Sequence, residues 1–386
     1  MEPKQRDISL DITRGLIMVL MALDHTRIFF SSAQFEPTDI DHTNLNYFIT
    51  RWVTHLCAPG FFFLAGLGAA LAERNGLTPS KSSYWLATRG LWLIAIEFTI
   101  IGFAWSFNPG WNWFGVIWSL GAAMICLSFL RYLPRNALAT VAALVLVVHN
   151  ALPLEQWFHD QSWFALLYDA GLVHTPIGPK IALFPLIPWL CITVLGYTVG
   201  PWLTPNNASS PPRFAAAGAF MIAAFAAFRL IGFGAPLSEP ATSFPDAAHT
   251  WMSFFNVEKY PPSLQFVLIT LGVLFALIAL FASLGDTAKT RLGLLHTFGR
   301  VPFFFYVLHI YLIHGLALFA AIALGWPTDY AFWHRIGPNL GPPNGYGVAL
   351  PGVYLAWFAV LLLVYLPCAD FAAYKARSKS WWVKYL

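Results

Sequence analysis

The sequence predicts an all-α polytopic membrane protein, a single bundle of about ten transmembrane helices forming one domain over residues 1–386. Three observations carry this. Only 10% of the 386 residues are charged, while 58% are hydrophobic and 17% aromatic; a soluble domain averages about 25% charged. Mean hydropathy is +0.61. The apolar residues also gather into stretches near the roughly 20 residues that a spanning helix needs, and these fill the chain. So little charge cannot coat a soluble globule of this size. Disorder needs the opposite composition, low hydrophobicity with high net charge.

Taken in order, the spans are placed at 12–32, 48–72, 85–105, 113–131, 136–153, 181–203, 213–233, 263–284, 298–325 and 347–369. The breaks carry turn chemistry: Asn-Gly at 75–76, Asn-Pro-Gly at 108–110, Pro-Asn-Asn at 205–207 and Gly-Pro-Pro-Asn-Gly at 341–345. The longer connections, 154–180, 234–262 and 326–346, share one side by parity with the loop after the first span. No repeat of 20–50 residues is evident, nor an inverted half-repeat. The first span follows Lys4 and Arg6, contains Asp11, Arg14, Asp24 and His25, and lacks a small-residue cleavage site. It reads as a retained span and not a signal peptide.

Of the 22 Lys and Arg residues, 16 lie on the N-terminal side; Arg27, Arg51, Lys180, Arg229, Lys259 and Arg335 are the exceptions. This asymmetry predicts cytoplasmic termini and an even number of spans, because an odd number would export the basic tail. The net charge of +4 is therefore read as basic loops, with no nucleic-acid partner. Trp381 and Trp382 in that tail suit an anchor to membrane lipid. Cys57, Cys126, Cys191 and Cys368 form no CxxC and read as small buried residues. A homodimer is compatible with the composition.

Polar groups inside spans mark sites, because hydrocarbon penalises them. In span 1, Arg14 and His25 are eleven residues apart and share a face, with Asp11, Met18 and Met21 near the same stripe. The axial rise between them is about 16 Å. A cation at one end and an imidazole deep in the membrane suit a long ligand with an anionic head and a reactive tip, as in acyl-CoA. The competing reading pairs Asp11 with Arg14 at the interface and His25 with Asp24 or a neighbouring helix. Span 2 adds Arg51 and His55, an i,i+4 pair, then Pro59, expected to kink the helix, and Gly66 and Gly68, expected to allow close packing. Glu97 in span 3 reads as an unpaired acid. Span 9 carries Tyr306 and His309 as i,i+3 neighbours, with His314 pointing elsewhere. His149 reads as interfacial; His159, His174, His249, His296 and His334 read as loop residues. No HExxH, Walker motif, GxGxxG or carboxylate cluster is present, so no metal is expected.

The segment Arg6-Asp7-Ile8-Ser9-Leu10-Asp11-Ile12-Thr13-Arg14-Gly15, with Leu20-Met21-Ala22-Leu23-Asp24-His25, resembles bacterial heparan-alpha-glucosaminide N-acetyltransferase-like proteins. Four later blocks are also similar: 50–59, Phe184-Pro185-Leu186-Ile187-Pro188-Trp189, 256–263, and Gly299-Arg300-Val301-Pro302 through His309 and His314. The resemblance implies a transmembrane acyltransferase, in the bacterial inner membrane, that uses cytosolic acetyl-CoA to acetylate an amino sugar or other glycan on the opposite side. The ten-residue gap between Arg14 and His25 is also similar to membrane acyltransferases that O-acylate surface glycans. The lysosomal branch carries Asn at the position of His25 and its key histidine in the following loop, where this chain offers His42.

The roles expected are these. Arg14, with Asp11 and Arg300, would hold acetyl-CoA phosphates, and Tyr306 and His309 would lie against the same donor. His25 would act as general base or acyl carrier, oriented by Asp24, with His55 in reserve; the base remains one of His25, His42 and His55. Arg51, His42, Lys259 and Tyr260 would contact the acceptor. A Tyr-Pro-Pro turn entering span 8 is an equal reading of the Lys259–Tyr260 block. The rival function is a proton-coupled secondary transporter, for which intramembrane His and Arg are suited. It is disfavoured because interrupted, symmetric helix pairs are missing.

Overall fold

The computed structural model describes residues 7–108, 113–149, 152, 158, 161–176, 178–233, 242–330 and 342–384. His159, His334 and Arg335 lie outside the described residues. Among the described residues, each of the ten expected spans contains a helix, although the sixth begins as strand. Seven helices are long and apolar enough to cross a membrane: Leu45–Arg74, Pro79–Ser106, Leu186–Leu203, Pro211–Ile231, Leu264–Ser283, Pro302–Leu324 and Leu350–Arg377. The other three positions depart from that standard for visible reasons. Helix α1 (Ile8–Phe30) has 23 residues but carries charge at both ends. Helices α6 (Val116–Leu130) and α7 (Arg135–Val148) are apolar but have only 15 and 14 residues.

Capping explains where several helices start. The Asp7 carboxylate accepts from the Ser9 N–H at α1. Asn44 does the same for Asn46 and Tyr47 at α2 (Leu45–Thr54). The first orphan N–H groups are thereby satisfied. The break in the second span sits at His55–Leu56, before α3 (Cys57–Arg74), and not at Pro59. The proline lies in the first turn of α3, where its missing N–H would otherwise have bonded the His55 carbonyl. The third span is continuous but uneven: α4 (Pro79–Ile96) passes through a π-helical turn, Glu97–Ile101, into α5 (Gly102–Ser106).

Two connections expected as loops contain structure. Residues 154–180 include α8 (Ser162–Leu167) and strand β1 (Gly171–Thr175). The latter pairs antiparallel with β2 (Gly178–Ala182), with Val173 opposite Lys180. Phe114 extends the pairing, donating to the Ile181 carbonyl and accepting from the Leu183 N–H. The sixth helix, α9 (Leu186–Leu203), therefore starts five residues later than expected, because 178–182 are spent on the strand. After α10 (Pro211–Ile231), the second connection holds α11 (Ala247–Phe255). Helix α12 (Leu264–Ser283) follows, capped by Ser263. Then come α13 (Asp286–Arg291), α14 (Gly293–Arg300), α15 (Pro302–Leu324) and α16 (Leu350–Arg377).

Helix α1 packs against α2, α3, α12, α14, α15 and α16 and forms the centre of the bundle. Small residues set the closest approaches. A Cβ on Gly15 would overlap the Leu295 carbonyl of α14, and one on Gly299 would overlap the Asp11 carbonyl. Gly66 and Gly196 hold α3 against α9 in the same way, whereas Gly68 meets nothing within 4 Å. With no hydrophobic drive between helices in lipid, such backbone proximity supplies the packing. At the end of the bundle that carries the N-terminus of α1, Glu73 accepts from Arg131 (2.8 Å), Ser82 (3.1 Å), the Tyr197 hydroxyl (2.9 Å) and Arg135 (3.4 Å). This ties α3, α4, α6, α7 and α9 together.

Candidate active site

At the opposite end, a cavity of about 800 Å³ opens beside the last turns of α1. Its walls come from the 31–42 loop, the α2–α3 junction, the start of α6, strand β2 and the 256–260 segment, and Asp24, His25, Arg51, His55, Lys259 and Tyr306 line it. The 256–260 wall is built by Arg229 of α10. This buried guanidinium donates to the Ser253, Phe254 and Asn256 carbonyls at the end of α11 and to Gln265 Oε1 of α12. The Ser253 carbonyl also accepts the Asn256 N–H at 3.2 Å, and a cation suits the carbonyl pole of the helix dipole. Asn256 then donates to the Thr38 carbonyl, joining this wall to the loop after α1 (3.0 Å).

Within the cavity, α1 divides its polar side chains between two partners. Asp24 accepts from Arg51 at 2.6 Å through one oxygen and from Arg27 at 3.1 and 3.3 Å through the other. His25 points away from that cluster: its Nδ1 lies 2.8 Å from Nε2 of His309. His309 Nδ1 lies 2.9 Å from the Phe305 carbonyl one turn back on α15. Trp105 presents an edge to His25 at 4.9 Å, and Tyr306 lies 6.2 Å away, ring to ring. The neighbour of the His25 imidazole is thus His309, and Asp24 is committed to two arginines.

The remaining candidates divide by depth. His55 is 3% exposed, packs on Phe266 and has no partner for Nδ1 among the described residues. Lys259 places its ammonium over Tyr260 (4.9 Å) and Phe184 (5.8 Å), a geometry in which the ring quadrupoles attract the cation. His42 is exposed at the mouth, 2.8 Å from Asp39. Glu97 is not the unpaired acid that sequence suggested: its carboxylate accepts the Trp118 N–H at the start of α6 (3.0 Å), where a helix N-terminus favours negative charge. His314 bonds the Ala104 carbonyl at 2.7 Å and stacks on Phe107, away from the cavity.

Arg14 and Asp11 pair elsewhere, at the α1–α14 junction, Arg300 at the end of α14 turns to α16, and none of the three lines the cavity. Arg14 donates to Asp11 (2.7 Å) and to the Gly299 carbonyl (3.2 Å), and Arg300 to the Ala372 carbonyl of α16 (3.3 Å). Along α1 the cavity reaches no nearer to them than Met21. Sequence reasoning did not single out Arg229, Trp105 or Phe184 as parts of the site. Arg229 alone carried a signal, a cation at the end of an apolar helix. Among the described residues no group of three or more His, Cys, Asp or Glu side chains is arranged to hold a metal ion.

A helical membrane bundle with a histidine pair behind a polar, aromatic-walled cavity has the attributes of an integral-membrane enzyme. The model of the heparan-alpha-glucosaminide N-acetyltransferase catalytic family matches residues 6–238, more than half the chain, and the chain belongs to that family of transmembrane acetyltransferases. No curated protein matches it significantly. Residues 239–386 lie outside the family match, yet they supply Lys259, Tyr260, Tyr306 and His309 to the cavity region.

Proposed function

We propose that the protein transfers an acetyl group from acetyl-CoA to an amino sugar or related glycan, with the acceptor bound in the cavity at the end of α1. The observation that carries this reading is His25, which faces that cavity while its other ring nitrogen is anchored to His309. The acceptor amine or hydroxyl attacks the thioester carbonyl, and the carbon–sulfur bond breaks. The acceptor proton passes to His25 and then to the departing CoA thiolate. A general base so placed contributes about 10²–10⁴-fold. Arg51, Lys259 and Tyr260 face the acceptor, His42 stands at its entrance, and Asp24 holds Arg51 in place.

The donor enters from the Arg14 end, which the Lys and Arg asymmetry assigns to the cytoplasm. A Cβ on Gly15 would overlap the Leu295 carbonyl, so α1 and α14 are in backbone contact one residue from Arg14. Arg14 and Arg300 are the cations proposed to meet the CoA phosphates there, and membrane lipid surrounds the bundle.

The test uses detergent-purified protein, radiolabelled acetyl-CoA and glucosamine as the acceptor. Acetylglucosamine should form. His25→Ala should abolish formation while acetyl-CoA affinity is kept, and Arg14→Ala should weaken that affinity by about 1.5–3 kcal/mol, the worth of a charged hydrogen bond. Lack of acetyl-CoA binding at millimolar concentration, together with proton-driven solute uptake in liposomes, would establish the transporter instead. Turnover that survives in His25→Ala and is lost in His42→Ala or His55→Ala would move the base to those residues.

A further inference from the structure

We propose that His309 is a positioning residue that sets the tautomer of His25, keeping its proton on Nδ1 and its lone pair on the Nε2 that faces the acceptor. The inference rests on the reading of His25 as the base and adds to it the means by which a base is made ready. The logic follows from what each atom is able to do. The Phe305 carbonyl only accepts, so the contact at 2.9 Å requires the proton of His309 to reside on Nδ1. A neutral His309 then has only a lone pair on Nε2, and the contact at 2.8 Å requires His25 Nδ1 to donate. The lone pair of His25 is left on Nε2.

The opposite arrangement, with His309 Nε2 donating, would protonate both His309 nitrogens. That would place an imidazolium on a side chain that is 0% exposed, and no carboxylate bonds either ring among the described residues. Burying an unpaired charge is strongly unfavourable. The pair is held by its surroundings: the His309 ring packs against Phe305 and Tyr306 at 5.1 and 5.6 Å, and Trp105 closes the edge of His25. When His25 takes the acceptor proton on Nε2, its Nδ1–H remains directed at the His309 lone pair. The hydrogen bond becomes charge-assisted at the moment the imidazolium forms. His309 thus supports the protonated state without a carboxylate.

The test reads the tautomer directly. The protein is labelled with ¹⁵N-histidine in lipid nanodiscs, and the His25 signals are assigned by their loss in His25→Gln. The wild type should show pyrrole-type Nδ1 and pyridine-type Nε2 for His25. In His309→Ala the two tautomers should mix, and kcat for glucosamine acetylation should fall at least tenfold, up to roughly 10⁴-fold, with the acetyl-CoA Kd unchanged. His309→Gln, whose amide oxygen accepts from Nδ1–H, should recover both the tautomer and much of kcat. A wild-type His25 protonated on Nε2, or an unchanged tautomer in His309→Ala, overturns the proposal. If the His309 variants do not fold, the wild-type spectrum decides alone. Turnover surviving in His25→Gln would instead overturn the base reading and leave the spectroscopic result standing.

Discussion

Removing the Asp24 carboxylate tests whether it serves the arginines or His25. Its bond to Arg51 is 2.6 Å long between side chains 13% and 14% exposed, well shielded but not sealed. A hydrogen bond to a charged group is worth about 1.5–3 kcal/mol. The second partner, Arg27, sits at 3.1 Å on the same helix, and such i,i+3 pairs add about 0.2–0.5 kcal/mol. Asp24→Ala should therefore cost roughly 2–4 kcal/mol, reaching into the 3–5 kcal/mol seen when one partner of a buried pair is removed. Asp24→Asn keeps an acceptor but not the charge. It should lose about half as much, because charge-assisted bonds are roughly twice as strong as neutral ones. The assay is reversible SDS unfolding followed by fluorescence of the 17 tryptophans, run on Asp24→Ala, Arg51→Ala and the double variant. The coupling energy should be about 1.5–3 kcal/mol. Coupling below about 0.5 kcal/mol, the scatter expected of independent sites, would refute the clamp. So would an Asp24→Ala protein of wild-type stability whose turnover has collapsed, since Asp24 would then act on His25.

Three further outcomes follow from other parts of the bundle. Glu73→Ala leaves Arg131 and Arg135 without their shared acid and should cost about 3–5 kcal/mol in the same unfolding assay; a loss under about 1 kcal/mol would place Glu73 among ordinary surface pairs. Gly66→Ala drives a methyl group into the Thr193 carbonyl and should destabilise by about 1–3 kcal/mol. Gly68→Ala meets nothing and should be neutral or gain up to about 1 kcal/mol from helix propensity; equal effects at the two positions would contradict the α3–α9 contact. A cysteine at Pro176, in the β1–β2 turn, should react with a membrane-impermeant maleimide applied outside cells, and one at Ser380 should not. A reversed pattern would invert the assigned orientation.

The places of the helices were legible in the sequence because a lipid-spanning segment must be both long and apolar, and both properties are local. Gly66 in close packing was legible for the same reason. The β1–β2 hairpin was not, since five-residue strands carry too little alternation to stand out beside long apolar runs. Nor was the extra length of α16, which continues to Arg377 beyond the expected end at residue 369 because polar residues outside hydrocarbon form helix equally well. At the site, periodicity put Arg14 and His25 on one face of α1, and burial cost marked Asp24, His25, Arg51, His55 and His309 as significant.

What those residues do to one another was decided by the tertiary structure. Asp24 and His25 are adjacent in sequence, yet successive positions on a helix point about 100° apart. Asp24 therefore meets Arg51 of α2 while His25 meets His309, 284 residues away on α15. Glu97 looked isolated until the start of α6 was brought to it, and Arg229 looked peripheral until α11 ended against it. A sequence determines which face of a helix is polar and roughly how deep each polar group lies. Which other face it meets depends on the close approaches of backbones at Gly15, Gly66 and Gly299. Those approaches arise only when all the helices pack at once, and a hydrogen bond made across them requires geometry that no single helix contains.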